Sequence, residues 1–202
     1  SAMQCFEAMS ESDLLLKVEH HIKEQFKNSM AENLYYHNLE HTEIVVEKVK
    51  LALNSKGTTE VEHNNIVIAA WFHDLGFLYE YDNHEEESIS LCEKFLSKEG
   101  VTEDRAHEIC NMIKSTKFTI RPNNKNAALL KDIDIAYALY TDFKTKGDLL
   151  KQEIEVKLNK QINNNEWNDS QIKFLKEICF YSSYGKENYN ELLEETKRSA
   201  CQ

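Results

Sequence analysis

The sequence predicts an all-α fold, and three observations support that prediction. Apolar residues recur at helical spacing along most of the chain, and no strand-like alternation persists. Only 5 glycines and 1 proline are present, which leaves little room for the tight turns of a sandwich or a barrel. The 202 residues suffice for one domain with a full hydrophobic core.

The apolar periodicity predicts a series of helices separated by short breaks. Ser12-Asp13 is expected to cap the first helix, Lys56-Gly57 to end the second, and Thr59 to open a capping box for the third. The third helix is apolar on nearly all sides, so we expect it to be buried. The predicted helices cover residues 12–30, 41–56, 59–74, 84–100, 102–114, 126–141, 147–161, 170–181 and 187–198.

The chain is strongly acidic, with a formal net charge of −11. Such a chain is not expected to bind nucleic-acid duplexes or anionic membranes through a diffuse basic surface. An anionic substrate would therefore need a local positive charge, and a bound divalent metal ion is one source of it. The net charge fits a metal site without establishing one.

The cysteines and the hydropathy pattern predict the compartment. The 5 cysteines form no CxxC pair and are odd in number, which indicates a reducing compartment rather than a disulfide framework. No apolar run approaches the length of a membrane span, and residues 1–13 lack the pattern of a secretory signal. We therefore expect a cytoplasmic protein. The cysteines are Cys5, Cys92, Cys110, Cys179 and Cys201.

A histidine and an aspartate, His73 and Asp74, stand at the end of the buried third helix. Imidazole and carboxylate are well suited to a divalent metal ion. An isolated buried carboxylate would cost on the order of several kcal/mol or stay protonated, and either a metal ion or a salt bridge would remove that cost. No lysine or arginine lies between Glu62 and Lys94, which favours the metal ion.

Two further candidate ligands come from distant parts of the chain. His41 belongs to a Tyr-His-Asn-x-x-His-Thr segment that begins at Tyr36, and Asp134 follows Asp132 in the sixth predicted helix. This order, H…HD…D, resembles the HD-domain superfamily of metal-dependent phosphohydrolases. The resemblance covers about residues 35–136, and the tail is similar to the C-terminal helices of a small bacterial HD phosphohydrolase subfamily.

The resemblance implies a single helical domain over residues 1–202. Its core would lie at about residues 30–145, with the N-terminal helix and the C-terminal helices packed on it. In the family the ligands leave open metal positions for water and a phosphate oxygen. The implied cofactor is one divalent ion, or two, of manganese, iron, nickel, cobalt, zinc or magnesium. The implied ligands are His41, His73, Asp74 and Asp134.

The family's pattern selects Asp134 rather than Asp132 as the last ligand, because the ligand precedes an apolar and a small residue. Two residues apart on a helix, the two carboxylates point about 160° away from each other. One ion does not readily bind both. Asp132 is then expected to be a cap, a solvated acid or a partner of a ligand.

Besides Asp74, the resemblance makes three residues candidates for catalysis. His37, in the Tyr-His-Asn opening, would support a ligand or bind phosphate; otherwise it is a turn histidine bonded to the backbone. His84 could complete a second ion bridged by Asp74. With one ion only, His84 or Glu85 would position water or act as a general acid or base. The acidic run after His84 also suits an ordinary charged helix N-terminus.

Lys114, Thr116 and Lys117 match a family segment that follows the fifth predicted helix. A lysine beside a hydroxyl can hold a phosphate, although a solvated helix end accounts for these residues equally well. The expected partner is a small phosphorylated substrate, a nucleotide or another metabolite. The long C-terminal helices can either cover the pocket or form the face of a homo-oligomer.

The predicted function is hydrolysis of a phosphate ester, monoester or diester, through metal-activated water. No GxxxxGK[ST], GxGxxG, GxSxG or HExxH motif points to another chemistry. The alternative is a non-catalytic regulatory module that binds metal or nucleotide. That alternative stays open because residues 135–139 depart from the continuation common in the family.

Overall fold

The computed structural model describes residues 8–53 and 57–202. Those residues are all-helical and contain no strand, so the predicted fold class is confirmed. Short 3-10 turns lie at Ser29–Ala31, Leu75–Leu78 and Tyr137–Leu139. The α-helices of the described residues are α1 (Glu11–Phe26), α2 (Leu39–Leu53), α3 (Glu60–Phe72), α4 (His84–Lys98), α5 (Glu103–Ser115), α6 (Lys125–Ala136), α7 (Phe143–Lys157), α8 (Asn164–Glu177) and α9 (Ser183–Ala200).

Helix α3 lies at the centre of the core. All its residues from Asn64 to Phe72 are buried, as the continuous apolar run predicts, and the predicted capping box at its start is present. Helices α1, α2 and α5 pack around it, and α4 and α6 also contact it. Because the run Ile66–Phe72 of α3 is apolar on all sides, burying it places the C-terminal end of the helix in the interior of the molecule.

Helices α7, α8 and α9 begin one to two turns earlier than the predicted positions, 147, 170 and 187. The side chain of each N-cap accepts a hydrogen bond from a backbone N–H of the first turn. These first turns carry few apolar residues, so a search for apolar periodicity misses them, although their polar caps are visible in the sequence. The caps are Asp142, Asn163 and Ser182.

Other predicted boundaries are also wrong by a few residues: α1 ends at Phe26 rather than residue 30, α7 at Lys157 rather than 161, and α8 at Glu177 rather than 181. Ser10, not Ser12-Asp13, caps α1, because its hydroxyl accepts the Asp13 N–H at 3.1 Å. Helix α2 begins at Leu39 rather than residue 41, and α6 ends at Ala136 rather than residue 141. After Ala136 the helix tightens into a 3-10 turn, a common way to end an α-helix.

Cys5 and Lys56, which carry part of the cysteine and helix-end predictions, lie outside the described residues. The cysteines within them are free thiols, two buried and two exposed. No described helix combines the length and the apolar composition needed to cross a bilayer. The single-domain organisation and the cytoplasmic location stay predictions.

Asp132 attaches the C-terminal segment to α6. Its carboxylate is fully buried and accepts hydrogen bonds of 2.6–3.1 Å from the N–H groups of Tyr181 and Ser182 and from the Ser182 hydroxyl. A Cβ at Gly185 would overlap this carboxylate, so the glycine permits the close approach of α9. Asp132 therefore holds the start of α9, and the expectation of a solvated acid is wrong.

We expect Asp132→Asn to lower the free energy of unfolding by about 1–3 kcal/mol. The amide would turn an NH2 group toward N–H and O–H donors that now donate to the carboxylate, so some of these hydrogen bonds would be lost. Urea titration of the full chain measures the change. Asp148→Asn is the matched control, since Asp148 pairs with Lys144 on the surface and its loss should cost less than about 0.5 kcal/mol. Equal stability of the two variants would contradict the anchoring role.

Candidate metal centre

Four polar side chains meet in the interior where α2, α3 and α6 converge. His41 lies in the first turn of α2, His73 caps the C-terminus of α3, Asp74 follows it, and Asp134 lies in the last turn of α6. Each offers one ligand atom, and these four atoms lie within 4.8 Å of one another. The structure thus brings together the four residues that the sequence predicts as ligands, and this group can hold a metal ion.

The contacts within the cluster join imidazole nitrogens to carboxylate oxygens. His41 Nε2 lies 3.0 Å from Asp74 Oδ2 and 3.1 Å from Asp134 Oδ1. His73 Nε2 lies 3.2 Å from each of the same two oxygens. The two Nε2 atoms are 3.3 Å apart. All four atoms therefore face one small common space.

The backbone fixes which nitrogen of His73 faces that space. Its Nδ1 lies 2.6 Å from the carbonyl oxygen of Ala70, so Nδ1 carries the proton and donates. The Nε2 of the neutral ring is then an unprotonated acceptor directed at the cluster. This arrangement, in which a backbone carbonyl sets the tautomer, is common for metal-binding histidines.

The two buried carboxylates of the cluster need positive charge beside them. Asp74 Oδ2 is buried, and the Nε2 atoms of His41 and His73 are its polar neighbours at 3.0 and 3.2 Å. Burial lowers the pKa of His73, but the nearby carboxylates of Asp74 and Asp134 outweigh it and raise that pKa well above its usual value. Either protons on the imidazoles or a cation can therefore balance the carboxylates. A divalent cation satisfies all four ligand atoms at once and displaces those protons, so the donor set fits a metal ion.

Solvent reaches the cluster on the side of Asp134. Its side chain is 20% exposed, whereas those of His41, His73 and Asp74 are 4% exposed or less. His37 and His84, whose side chains are 19% and 18% exposed, also lie beside the cluster, next to His41 and Asp74.

His84 lies next to the second oxygen of Asp74. Its Nε2 is 3.5 Å from Asp74 Oδ1, its Nδ1 is 3.4 Å from Glu85 Oε2, and its ring stacks on Phe77 at 3.6 Å. Burial lowers the pKa of His84 to about 4, although Asp74 opposes the change, so the imidazole is neutral near pH 7. His84 is outside the four-atom group, and its place in a second metal site stays a prediction.

Gly76 allows α4 to bring His84 to this place. A Cβ at Gly76 would overlap the backbone carbonyl of His84, and the Gly76 N–H donates to Ser88 Oγ at 2.8 Å. The turn after Asp74 and the first turn of α4 therefore pack backbone against backbone. Any larger residue at position 76 would push His84 away from Asp74.

His37 is held by a residue that the sequence reasoning missed, Glu153 of α7. The Nδ1 of His37 lies 2.6 Å from Glu153 Oε2, and its backbone N–H donates to Oε1 at 2.9 Å. The alternative of a turn histidine whose ring is bonded to the backbone is therefore wrong. The only signal for Glu153 in the sequence is an acid directly before Ile154 on the apolar side of an amphipathic helix, and such positions are common.

The three predicted phosphate-binding residues lie at the end of α5. Lys114 is exposed, and Lys117 is partly buried. Thr116 is buried, and its hydroxyl donates to the Ile113 carbonyl at 2.7 Å. The buried ammonium of Lys131 donates to the carbonyl of Lys117 at 2.6 Å and so fixes this turn. Their contact with a substrate stays a prediction, as do the catalytic roles of Glu85, His37 and His84.

We expect the reconstituted chain to bind manganese or iron stoichiometrically, and His73→Ala to abolish that binding, because the variant removes one of four converging ligand atoms. Bound metal should also stabilise the protein by about 2–3 kcal/mol at a concentration roughly 100-fold above its dissociation constant. Elemental analysis and thermal unfolding with and without metal measure both effects.

His107→Ala is the matched control for this experiment, since His107 is exposed on α5 and outside the four-atom group. It should bind metal as the parent does. Asp134→Asn repeats the test at a partly exposed position, in case the buried His73 variant fails to fold. Failure of the parent chain to bind either metal would contradict the ligand assignment.

Comparison with known proteins identified no relative of this chain. The chain matches no protein-family model, no curated protein and no solved structure. The resemblance to HD-domain proteins therefore depends on the motif residues, and the assignment of a metal centre depends on the geometry of His41, His73, Asp74 and Asp134.

Proposed function

We propose that this protein is a metal-dependent phosphohydrolase that cleaves a phosphate ester of a nucleotide or another small phosphorylated metabolite. The observation that carries the proposal is the buried group of two imidazoles and two carboxylates whose ligand atoms lie within 4.8 Å of one another. The order of these residues in the chain, H…HD…D, resembles that of the HD-domain phosphohydrolases.

The charge of the chain supports a metal ion as the site of anion binding. The chain carries a formal net charge of −11, and the centre itself contributes two carboxylates, Asp74 and Asp134. A phosphate would be repelled from such a site unless positive charge were added. When bound, a divalent ion would supply that charge to the phosphoryl oxygens and lower the pKa of water.

The residues around the cluster have distinct parts in this proposal. Neutral His84 donates or accepts a hydrogen bond rather than providing a fixed charge, because burial holds its pKa near 4. Burial also raises the pKa of the Glu85 carboxyl, while Lys117 opposes that change. Lys117, whose charge opposes the rise in the pKa of Glu85, is the cation that we expect to bind phosphate. His37, whose ring lies 6.0 Å from that of His41 and 6.1 Å from that of His84, is available to hold water or a phosphate oxygen.

A non-catalytic binding module is the second candidate, and one observation favours it. The segment that departs from the family's continuation includes Tyr137, whose ring packs edge-on against His41 at 4.4 Å. The ring of Tyr36 lies 5.7 Å from His41 and 5.3 Å from Tyr137. The rings of Tyr36 and Tyr137 thus cover one side of His41 and restrict how a substrate can reach it.

Assays of the metal-loaded chain separate the two candidates. The assays use a panel of phosphomonoesters, phosphodiesters and nucleotides, and we expect the metal-loaded chain to hydrolyse at least one member. We also expect Asp74→Asn to reduce it by more than the roughly 10–100-fold that loss of a ligand's supporting partner costs, because the amide removes a ligand charge. Asp169→Asn, on the exposed face of α8, is the control and should keep full activity.

The outcome that contradicts the proposal is equally specific. A metal-loaded chain that hydrolyses no member of the panel but binds a nucleotide in calorimetry would favour the binding module. Hydrolysis that survives unchanged in Asp74→Asn would show that the activity does not come from this centre.

A further inference from the structure

Glu153 is a buried carboxylate that the metal cluster does not use. It is fully buried, and Gly147 is the one other buried residue of α7. Burying an ionised carboxylate costs several kcal/mol unless hydrogen bonds replace its water. A buried carboxylate on a helix whose other side chains are partly buried or exposed therefore calls for an explanation in the contacts that it makes.

Four donor groups converge on Glu153. Oε1 accepts the backbone N–H groups of Tyr36 and His37 at 3.0 and 2.9 Å. Oε2 accepts the Tyr81 hydroxyl at 2.7 Å and lies 2.6 Å from His37 Nδ1. Burial raises the pKa of Glu153, but His37 and Tyr81 outweigh it and the net pKa is below the usual value. The carboxylate is ionised, so it accepts at every one of these contacts.

These contacts fix the ring of His37 in both tautomer and orientation. An ionised carboxylate at 2.6 Å requires the proton on Nδ1, which leaves Nε2 as the free ring nitrogen. The ring also stacks on Phe77 at 4.0 Å. Its centroid lies 6.0 Å from that of His41 and 6.1 Å from that of His84, so the ring stands beside the cluster.

We infer that Glu153 is a positioning residue that holds His37 with Nε2 directed to the molecule bound at the metal cluster. The part of His37 in catalysis rests on the proposed function, whereas the positioning of its ring by Glu153 does not. Phe77 fixes the plane of the imidazole, and Glu153 fixes its rotation and its proton. Helix α7, which supplies none of the four cluster residues, thereby contributes to the site.

Glu153→Gln tests this inference because the amide keeps the shape and the Oε1 acceptor but presents an N–H to His37 Nδ1. In a neutral ring the proton would then move to Nε2. In the metal-loaded full chain we expect unchanged metal content, a fall in kcat of about 100-fold, and a much smaller change in KM. Glu177→Gln, on the exposed part of α8, is the control and should match the parent.

A double-variant cycle separates positioning from a merely structural role. If Glu153 acts through His37, then Glu153→Gln combined with His37→Ala should be no slower than His37→Ala alone. Independent effects that multiply would overturn the inference. So would loss of metal in Glu153→Gln, or a kcat equal to that of the parent.

Nitrogen NMR of the histidine rings provides a readout that needs no activity. The His37 signals, identified by their absence in His37→Ala, should show a protonated Nδ1 in the parent chain and a protonated Nε2 in Glu153→Gln. An unprotonated Nδ1 in the parent would overturn the inference even if the variant fails to fold. The expected signals in a chain without turnover would uphold the positioning and reject the proposed function.

Discussion

Two carboxylates and two imidazoles cannot share one buried space unless positive charge stands among them, and the structure depends on this constraint. The ligand atoms of His41, His73, Asp74 and Asp134 lie within 4.8 Å of one another, in a region where an unbalanced charge costs several kcal/mol. The core brings them there because the last two turns of α3 are apolar on every side and end at this point, while α2 and α6 pack against the helix. Hydrophobic burial thus places the polar atoms, and either imidazole protons or a bound cation can balance them.

Two residues next to the cluster, Phe77 and Gly76, fix the positions of the imidazoles around it. Phe77 stacks on both His37 and His84, so one side chain fixes two imidazoles beside the cluster. Gly76 lets the first turn of α4 approach closely enough to bring His84 within 3.5 Å of Asp74. The neutral state of His84 also suits this place, because a charged imidazolium beside a metal ion would be repelled by it.

Much of the fold and of the cluster could be predicted from the sequence, and the misses have physical causes. The continuous apolar run before His73 predicts a buried helix, and the charge of Asp74 at its end predicts a partner for that carboxylate. The starts of α7, α8 and α9 were missed because hydrogen-bonded polar caps, rather than apolar residues, define them. Glu153 was missed because its partners, Tyr36 and His37, lie more than a hundred positions away, and no local pattern encodes such a pairing.

The C-terminal helices take part in the centre through two buried carboxylates. On α6, Asp132 and Asp134 point to opposite sides, so one holds the chain before α9 while the other faces the cluster. On α7, Glu153 holds the backbone and ring of His37 just before α2 begins. Each carboxylate thus links the C-terminal part of the chain to a helix that carries a cluster residue: Asp132 to α6 and Glu153 to the start of α2. Without the residues beyond about position 145, Asp132 would lose its donors at Tyr181 and Ser182, and His37 would lose the carboxylate of Glu153. The geometry of the centre therefore depends on those residues as well as on the motif itself.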